Sequence, residues 1–385
     1  MDILFNFGHQ PLRFSRPTQT VVCHDPAGLP GVFQRVERWL RAGHYVAGFF
    51  SYEAGYAFEQ RLADPRPRAF PLAMLGAYPP PERRPFAERV DSAYCLDDIR
   101  IRTPRSRYAE DIRRIRRYIS RGDVYQITYC MKMGFRFSGD PRALFFDLYR
   151  HQPVPYAAYL DAKTFQILSL SPERFLRKRG EAILSEPMKG TWPRGTGPAA
   201  DRRAQQRFQR DRKNRAENVM IADLLRNDLG RIGTCIRAPK LFTVTPYRTL
   251  FQMTSTVTGK VPSRLRLHDL LAAVFPSGSV TGAPKIRAMQ IIRELEVEER
   301  KIYTGAIGYI TPNRDLYFNI PIRTLLISGG FGEMGVGGGI VWDSTVRGEW
   351  AEGLLKARFL SDVSGAPICA TAACADELLA ESQWD

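Results

Sequence analysis

The sequence contains no CxxC, no HExxH and no N-x-S/T acceptor. Its six cysteines (Cys23, Cys95, Cys130, Cys235, Cys369, Cys374) are scattered, and so are its five histidines. Zinc-site spacing is therefore missing, no glycosylated surface is indicated, and a reducing cytoplasm is the expected setting. No run approaches the ~18 apolar residues a membrane helix needs. The opening MDILFNFGHQPLRF lacks the basic and apolar regions of a secretory signal. Lysine is scarce, 10 against 46 arginines, in a chain of 385 residues with a formal net charge of +16. Such an excess can neutralise phosphates, steer an anionic substrate or reflect compositional bias. Arginine dominance beside plentiful alanine suits bias. No helix-turn-helix, RRM or OB signature accompanies the charge, so neither a nucleic acid nor a membrane is an expected partner.

What is present reads as alternating strands and helices. Gly31–Ala42 has a helical apolar face, and the aromatic Tyr45–Phe58 reads as buried strands. Pro and Arg crowd Asp64–Pro71 and Pro79–Pro85, which read as loops. The region near Ala93–Thr103 reads as a hinge between a smaller N-terminal lobe (1–100) and a main domain (101–360), with 361–385 as a loose tail or linker stump. Ser106–Arg121 is an amphipathic helix with a solvated arginine face. Val124–Phe137 alternates at period two as a half-buried strand, and Asp140-Pro141 caps the next helix. Asp201–Arg215 reads as an exposed basic helix leading into Glu217–Leu229. Glu217 then falls in a first turn, where the helix dipole favours a carboxylate whatever its function.

Two glycine-rich stretches mimic nucleotide loops. Gly278 and Gly282 are too close for a Walker A loop, and Ala-Pro precedes Lys285. The Gly330, Gly332, Gly335 spacing fits a dinucleotide fingerprint, but a strand follows it instead of a helix. A hairpin turn is the reading there, with Gly337-Gly338-Gly339 admitting a ligand close to the backbone. In Glu349–Leu360, Glu352 and Lys356 stand in the favourable order for a surface pair.

The central stretch is Leu168–Thr191, LSLSPERFLRKRGEAILSEPMKGT. Arg174–Lys178 and Glu181–Ser185 are strand-length runs separated by Arg179-Gly180. A hairpin there brings Glu173 and Lys189 to one end of a ribbon, as an acid and a nucleophile or simply as an ion pair.

SPERF followed by PMKGT resembles the chorismate-utilising family of anthranilate, aminodeoxychorismate, isochorismate and salicylate synthases. NRAENVMIADLLRNDLGRI, FPSGSVTGAPK and EWAEGLLKARFL extend the likeness in the family's order over roughly Arg107–Leu360. The resemblance implies an α+β fold, large antiparallel sheets packed face to face with helices outside and the site between them. Lysine at position 189 marks the aminodeoxychorismate branch, whereas the anthranilate branch resembles PIAGT. By the same resemblance Glu173 is the acid, Lys189 the nucleophile, and Glu217 and Glu352 hold Mg²⁺. Ser279, Tyr303, Arg323, Gly338, Gly339 and Lys356 contact chorismate. Ammonia is expected from a glutamine amidotransferase subunit, and an aminodeoxychorismate lyase downstream on the route to p-aminobenzoate and folate. Anthranilate or isochorismate synthesis is the alternative within the family, and a basic binding protein on an inactive fold the alternative outside it. Gln252 stands where some relatives carry histidine.

Overall fold

The structure, a computed structural model, describes residues 1–86, 90, 92–247, 250–364 and 368–370. Two ten-stranded sheets dominate it. The first runs, in spatial order, Gln10–Phe14, Asp2–Phe7, Tyr156–Asp161, Gln166–Ser171, Thr324–Ser328, Phe331–Ile340, Gln126–Gly139, Tyr94–Ile101 and Cys369–Ala370, with Gly282–Ala283 added beside Gln126–Gly139. The second runs Met188–Pro193, Leu250–Lys260, Ala182–Glu186, Arg174–Arg179, Leu316–Asn319, Ala306–Ile310, Tyr45–Phe50, Ala73–Tyr78 and Gln19–Cys23, with Thr234–Pro246 along Leu250–Lys260. The Cys369–Ala370 strand is parallel to its neighbour. The long pairings that frame the site, such as Phe331–Ile340 on Gln126–Gly139, are antiparallel.

Alternation places Ile3, Phe5 and Phe7 of the first sheet against Ala47, Phe49, Ile307 and Tyr317 of the second, forming the core between the sheets. Helices cover the outer faces. Arg105–Ser120 and Lys285–Leu295 bury Tyr108, Ile112, Ile115, Ile291 and Ile292 on the first sheet's side. Leu29–Arg41 and Arg212–Gly230 bury Val36, Trp39, Ile221 and Leu225 on the second's. Each large apolar side chain so buried contributes about 1.5–3 kcal/mol. This is the α+β arrangement expected from the resemblance.

Several local expectations change. Residues 1–78 supply strands to both sheets, so the segment expected as an N-terminal lobe shares the main core. The expected hinge is the Tyr94–Ile101 strand, paired with Gln126–Gly139. Tyr45–Phe58 is a strand only to Phe50; Tyr52–Phe58 coils into 3₁₀ turns. The Gln126–Gly139 strand is buried on both faces as far as Phe135, Gln126, Thr128 and Lys132 included, and only Arg136, Ser138 and Gly139 at its end are exposed. Its polar side meets a cavity and a buried ionic network where the alternation suggested water. The basic run forms two helices, Pro198–Arg210 and Arg212–Gly230, broken at Asp211, whose side chain caps the second by accepting from the Asn214 N–H. The last helix, Val346–Ser364, outruns its expected end at 360. Most of the expected tail, 365–367 and 371–385, lies outside the described residues.

Candidate active site

A cavity of about 250 Å³ opens between the sheets, and all ten residues singled out in the sequence line it. Glu173 and Lys189 do reach one place, as the hairpin reading required. Lys189 enters from the strand beyond the hairpin. Met188 pairs with Thr254 but Thr191 with Gln252, so a bulge at Lys189-Gly190 breaks the ladder. Bulges of this kind re-aim side chains, and here Lys189 is directed into the cavity.

Glu173 is buried, and its Oε1 accepts hydrogen bonds from Ser279 Oγ at 2.7 Å and from the Met188 N–H at 3.3 Å. Burial pushes its carboxyl up to about 7, against the smaller opposing effects of Ser279 and Lys189. At neutral pH it therefore holds a proton for a good fraction of the time. Lys189 is held below the ordinary lysine range, first by burial and also by Lys356, while Glu217, Glu173 and Glu352 pull the other way. Among the described residues it forms no direct ion pair with Glu173, so the ion-pair reading of the hairpin gives way to two separated groups facing one space.

The two carboxylates expected to hold a metal sit on two helices. Because the second helix of the basic run begins at Arg212, Glu217 lies beyond the first turn and the dipole no longer explains it. Burial raises its carboxyl, as do Glu349 and Glu352, against Lys189 and Lys213. Glu352 pairs with Lys356 at 2.7 Å, but the pair lines the cavity. Lys356 also donates to the Gly337 carbonyl at 2.7 Å and holds the Glu352 carboxyl low. Gly338 is needed for this closeness. A Cβ there would stand 3.1 Å from Glu349 Oε2 and 3.6 Å from both Glu352 Oε1 and Lys356 Nζ. At Gly339 a Cβ would overlap the Gln126 amide at 2.3 Å and stand 3.2 Å from Lys189 Nζ. The backbone of Phe331–Ile340 thus carries no side chain at Gly338 and Gly339, where it lines the cavity.

Arg323 is buried, with φ +50°, and its Nη1 has no partner among the described residues. Burial lowers its guanidinium to about 10. An unpaired buried guanidinium is a strong invitation to a carboxylate. Tyr303 lies against Cys130, and burial drives its phenol far up, so it stays a hydroxyl.

Three participants escaped the sequence reading. Glu349 is buried and accepts from Ser344 Oγ at 2.6 Å. Its spacing of three before Glu352 on one helix was the available signal. Lys213, which acts on Glu217, Glu349 and Glu352, was hidden in a basic run read as exposed. Gln126 was assigned to a solvent face.

Hard oxygen donors under mutual repulsion suit a divalent cation such as Mg²⁺. Glu217 and Glu352 supply two such groups in one cavity, and Glu352 helps to raise the Glu217 carboxyl, a strain that a bound cation would relieve. Among the described residues no three His, Cys, Asp or Glu side chains converge into a metal site.

A family model described as chorismate binding enzyme matches residues 81–362. Aminodeoxychorismate synthase component 1 of Klebsiella aerogenes is 40% identical over 291 residues, 75% of this chain and 62% of that protein. Anthranilate synthase component 1 of Methanothermobacter thermautotrophicus is 38% identical over 251 residues, 64% of this chain and 54% of its own length. The chain thus spans less than two thirds of these relatives. The crystal structure of anthranilate synthase component I from Streptococcus pneumoniae superposes with a TM-score of 0.73 at 22% identity, covering 94% of this chain and 90% of that one. Two face-to-face sheets, a cavity between them lined by every residue the motifs single out, and a family match across that same span agree: the chain belongs to the chorismate binding enzymes.

Proposed function

We propose that the chain aminates chorismate, acting as component I of an aminodeoxychorismate synthase. The observation that carries this reading is Lys189, a buried amine without an ion-pair partner among the described residues, facing a carboxyl that burial keeps near neutrality. Arg323 and Lys356 receive the two carboxylates of the dianion, the first through its unpaired guanidinium edge. Neutral Lys189 attacks ring carbon C2. The ring's two double bonds each shift one place, the C4–O bond breaks, and Glu173 gives its proton to the departing hydroxyl, which leaves as water. Glu173, now a carboxylate beside the new ammonium, takes up a proton from it. Ammonia then bonds at C4, the double bonds return, the lysine leaves C2 with the proton held by Glu173, and the new C4 ammonium returns a proton to Glu173. The sum is chorismate plus ammonia to 4-amino-4-deoxychorismate plus water.

Glu217 and Glu352 would hold Mg²⁺, which when bound neutralises charge gathering on the ring carboxylate. Tyr303 and Ser279 orient the substrate and the acid, and bare Gly338 and Gly339 let it close on the backbone. A glutamine amidotransferase subunit is the proposed ammonia source, with a lyase consuming the product. A reducing cytoplasm suits the free Cys23, Cys95, Cys130 and Cys235. The test is mass identification of the product from pure protein, chorismate, Mg²⁺ and ammonium. 4-Amino-4-deoxychorismate supports the reading; anthranilate or isochorismate as the main product contradicts it.

A further inference from the structure

The chain's positive charge is not spread evenly. Residues 202–215 carry seven cations and one acid, Asp211, a net +6 out of the +16 of all 385 residues. The six arginines and Lys213 of this run are all exposed, and among the described residues none of them forms an ion pair. The two nearest acids are already engaged. Asp211 caps the second helix through the Asn214 N–H, and Asp201 is held by Arg194 at 2.5 Å. Compositional bias accounts for a large number of arginines, but not for their gathering in one place.

That place is the rim of the cavity. Lys213 is exposed and also lines it. The run is fixed there from both of its helices. On Pro198–Arg210, the fully buried Phe208 stacks on Trp192 with ring centres 5.7 Å apart, and Trp192 lines the cavity. On Arg212–Gly230, Asn214 packs so close to Gly190, the neighbour of Lys189, that a Cβ there would stand 2.5 Å from its Oδ1. Arg237 and Lys240, exposed on the adjoining Thr234–Pro246 strand, extend the patch.

The chemistry of the site says what such a patch can gather. Glu173, Glu217, Glu349 and Glu352 line the cavity against Lys189, Lys213, Arg323 and Lys356, so its own side chains exert little net pull on a dianion. An anion arriving from solvent feels the rim first, and charge of one sign gathered around a cleft raises association rates ~10–10³-fold. The two aromatic rings at the root of the patch, Phe208 and Trp192, are stacked on each other rather than offered to nucleic-acid bases.

We propose that residues 202–215 form an electrostatic collar that captures the dianionic substrate at the cavity rim and sets its association rate, not the chemical step. The inference rests on the substrate named in the functional proposal and deepens it, assigning the basic run to substrate capture.

The experiment compares two matched triple variants of the full chain. Arg203→Gln, Arg207→Gln and Arg210→Gln together remove three charges from one face of Pro198–Arg210. Arg35→Gln, Arg38→Gln and Arg41→Gln remove three from Leu29–Arg41, also a helix of 13 residues, which packs at the far end of the second sheet from Met188–Pro193. Glutamine keeps helix propensity close to that of arginine. Chorismate association is followed by stopped-flow tryptophan fluorescence. At ~10 mM ionic strength, where charges act over ~30 Å, the collar triple is expected to bind about tenfold more slowly than wild type. The difference is expected to close near ~1 M salt, where that reach falls to ~3 Å. The control triple has the same net charge and is expected to bind near the wild-type rate, with native kcat and melting temperature in both. Equal association rates in the two triples, or a collar deficit that survives high salt, overturns the collar. Because binding alone is read, a product other than 4-amino-4-deoxychorismate overturns only the functional proposal. A wild type that binds no chorismate overturns both.

Discussion

Two cavities stand back to back in this molecule, sharing Tyr303 and Gly335 as a wall. The smaller, about 150 Å³, is lined by Arg102, Arg107, Lys132 and Arg300, and every one of these cations has an anionic partner. Arg300 reaches Glu296 at 2.7 Å, Arg107 reaches Asp111 at 2.8 Å, Lys132 reaches Glu333 at 2.8 Å and Arg102 reaches Glu298 at 2.9 Å. In the larger cavity Arg323, Gln252 and the adjacent Gln126 keep unpaired polar atoms among the described residues, and Lys189 lacks an ion pair. Both cavities hold buried charge, so burial does not separate them. Pairing does. Buried cations paired with anions hold the fold, whereas unpaired ones reserve their bonds for something that arrives.

The largest expected effect sharpens that contrast through stability. Arg300→Met strands Glu296 and opens the Thr128 and Val280 carbonyls that the guanidinium serves. It is expected to cost about 3–5 kcal/mol in urea unfolding. Lys189→Met, with no ion pair to break, is expected to leave unfolding unchanged or raise stability. Equal losses in the two variants would erase the distinction.

Next come the carboxylates. Glu352→Gln is expected to lower turnover roughly a thousandfold, as the loss of several kcal/mol of metal-held charge stabilisation implies, with a native melting curve. Normal rates at limiting Mg²⁺ would remove Glu352 from the metal site. Glu173→Gln is expected to lower turnover ~10²–10⁴-fold. In the wild type the acid limb of the reaction should fall away above about pH 7, where the Glu173 proton is lost. A profile flat from pH 6 to 9 would assign the acid elsewhere.

A smaller effect concerns stability against pH. Glu173 and Glu53 both rise from 4.5 to about 7 through burial. Between those values the unfolded chain has released protons that the folded chain retains, so stability should fall as pH climbs through that window. Glu173→Gln should flatten part of the slope in denaturant titrations at pH 4.5, 5.5 and 7. The weakest expected effect is binding to DNA. The net charge of +16 should give only loose association, lost steeply with salt; tight, sequence-selective binding in gel shifts at physiological salt would reverse that view.

The motifs made much of the site legible, because Glu173, Lys189, Glu217 and Glu352 carry chemistry in short, recognisable strings. What stayed hidden depended on what lies opposite. Alternation marked Gln126 and Lys132 as polar-facing, but period two cannot tell water from a cavity or an ionic network. The dipole reading of Glu217 failed because Asp211 starts its helix earlier than the apolar stripe suggested. The N-terminal strands looked like a lobe because sequence order conceals which sheet a strand joins. Glu349 was passed over because a carboxylate near a helix start reads as ordinary.

The central claim, that Lys189 is the attacking amine, is tested most directly on that residue. Lys189→Ala should retain chorismate binding and a native melting curve while forming almost no 4-amino-4-deoxychorismate. Wild type held with chorismate and Mg²⁺ but no ammonia should yield a substrate-derived mass on the peptide bearing Lys189. Full aminodeoxychorismate formation by Lys189→Ala would contradict the account.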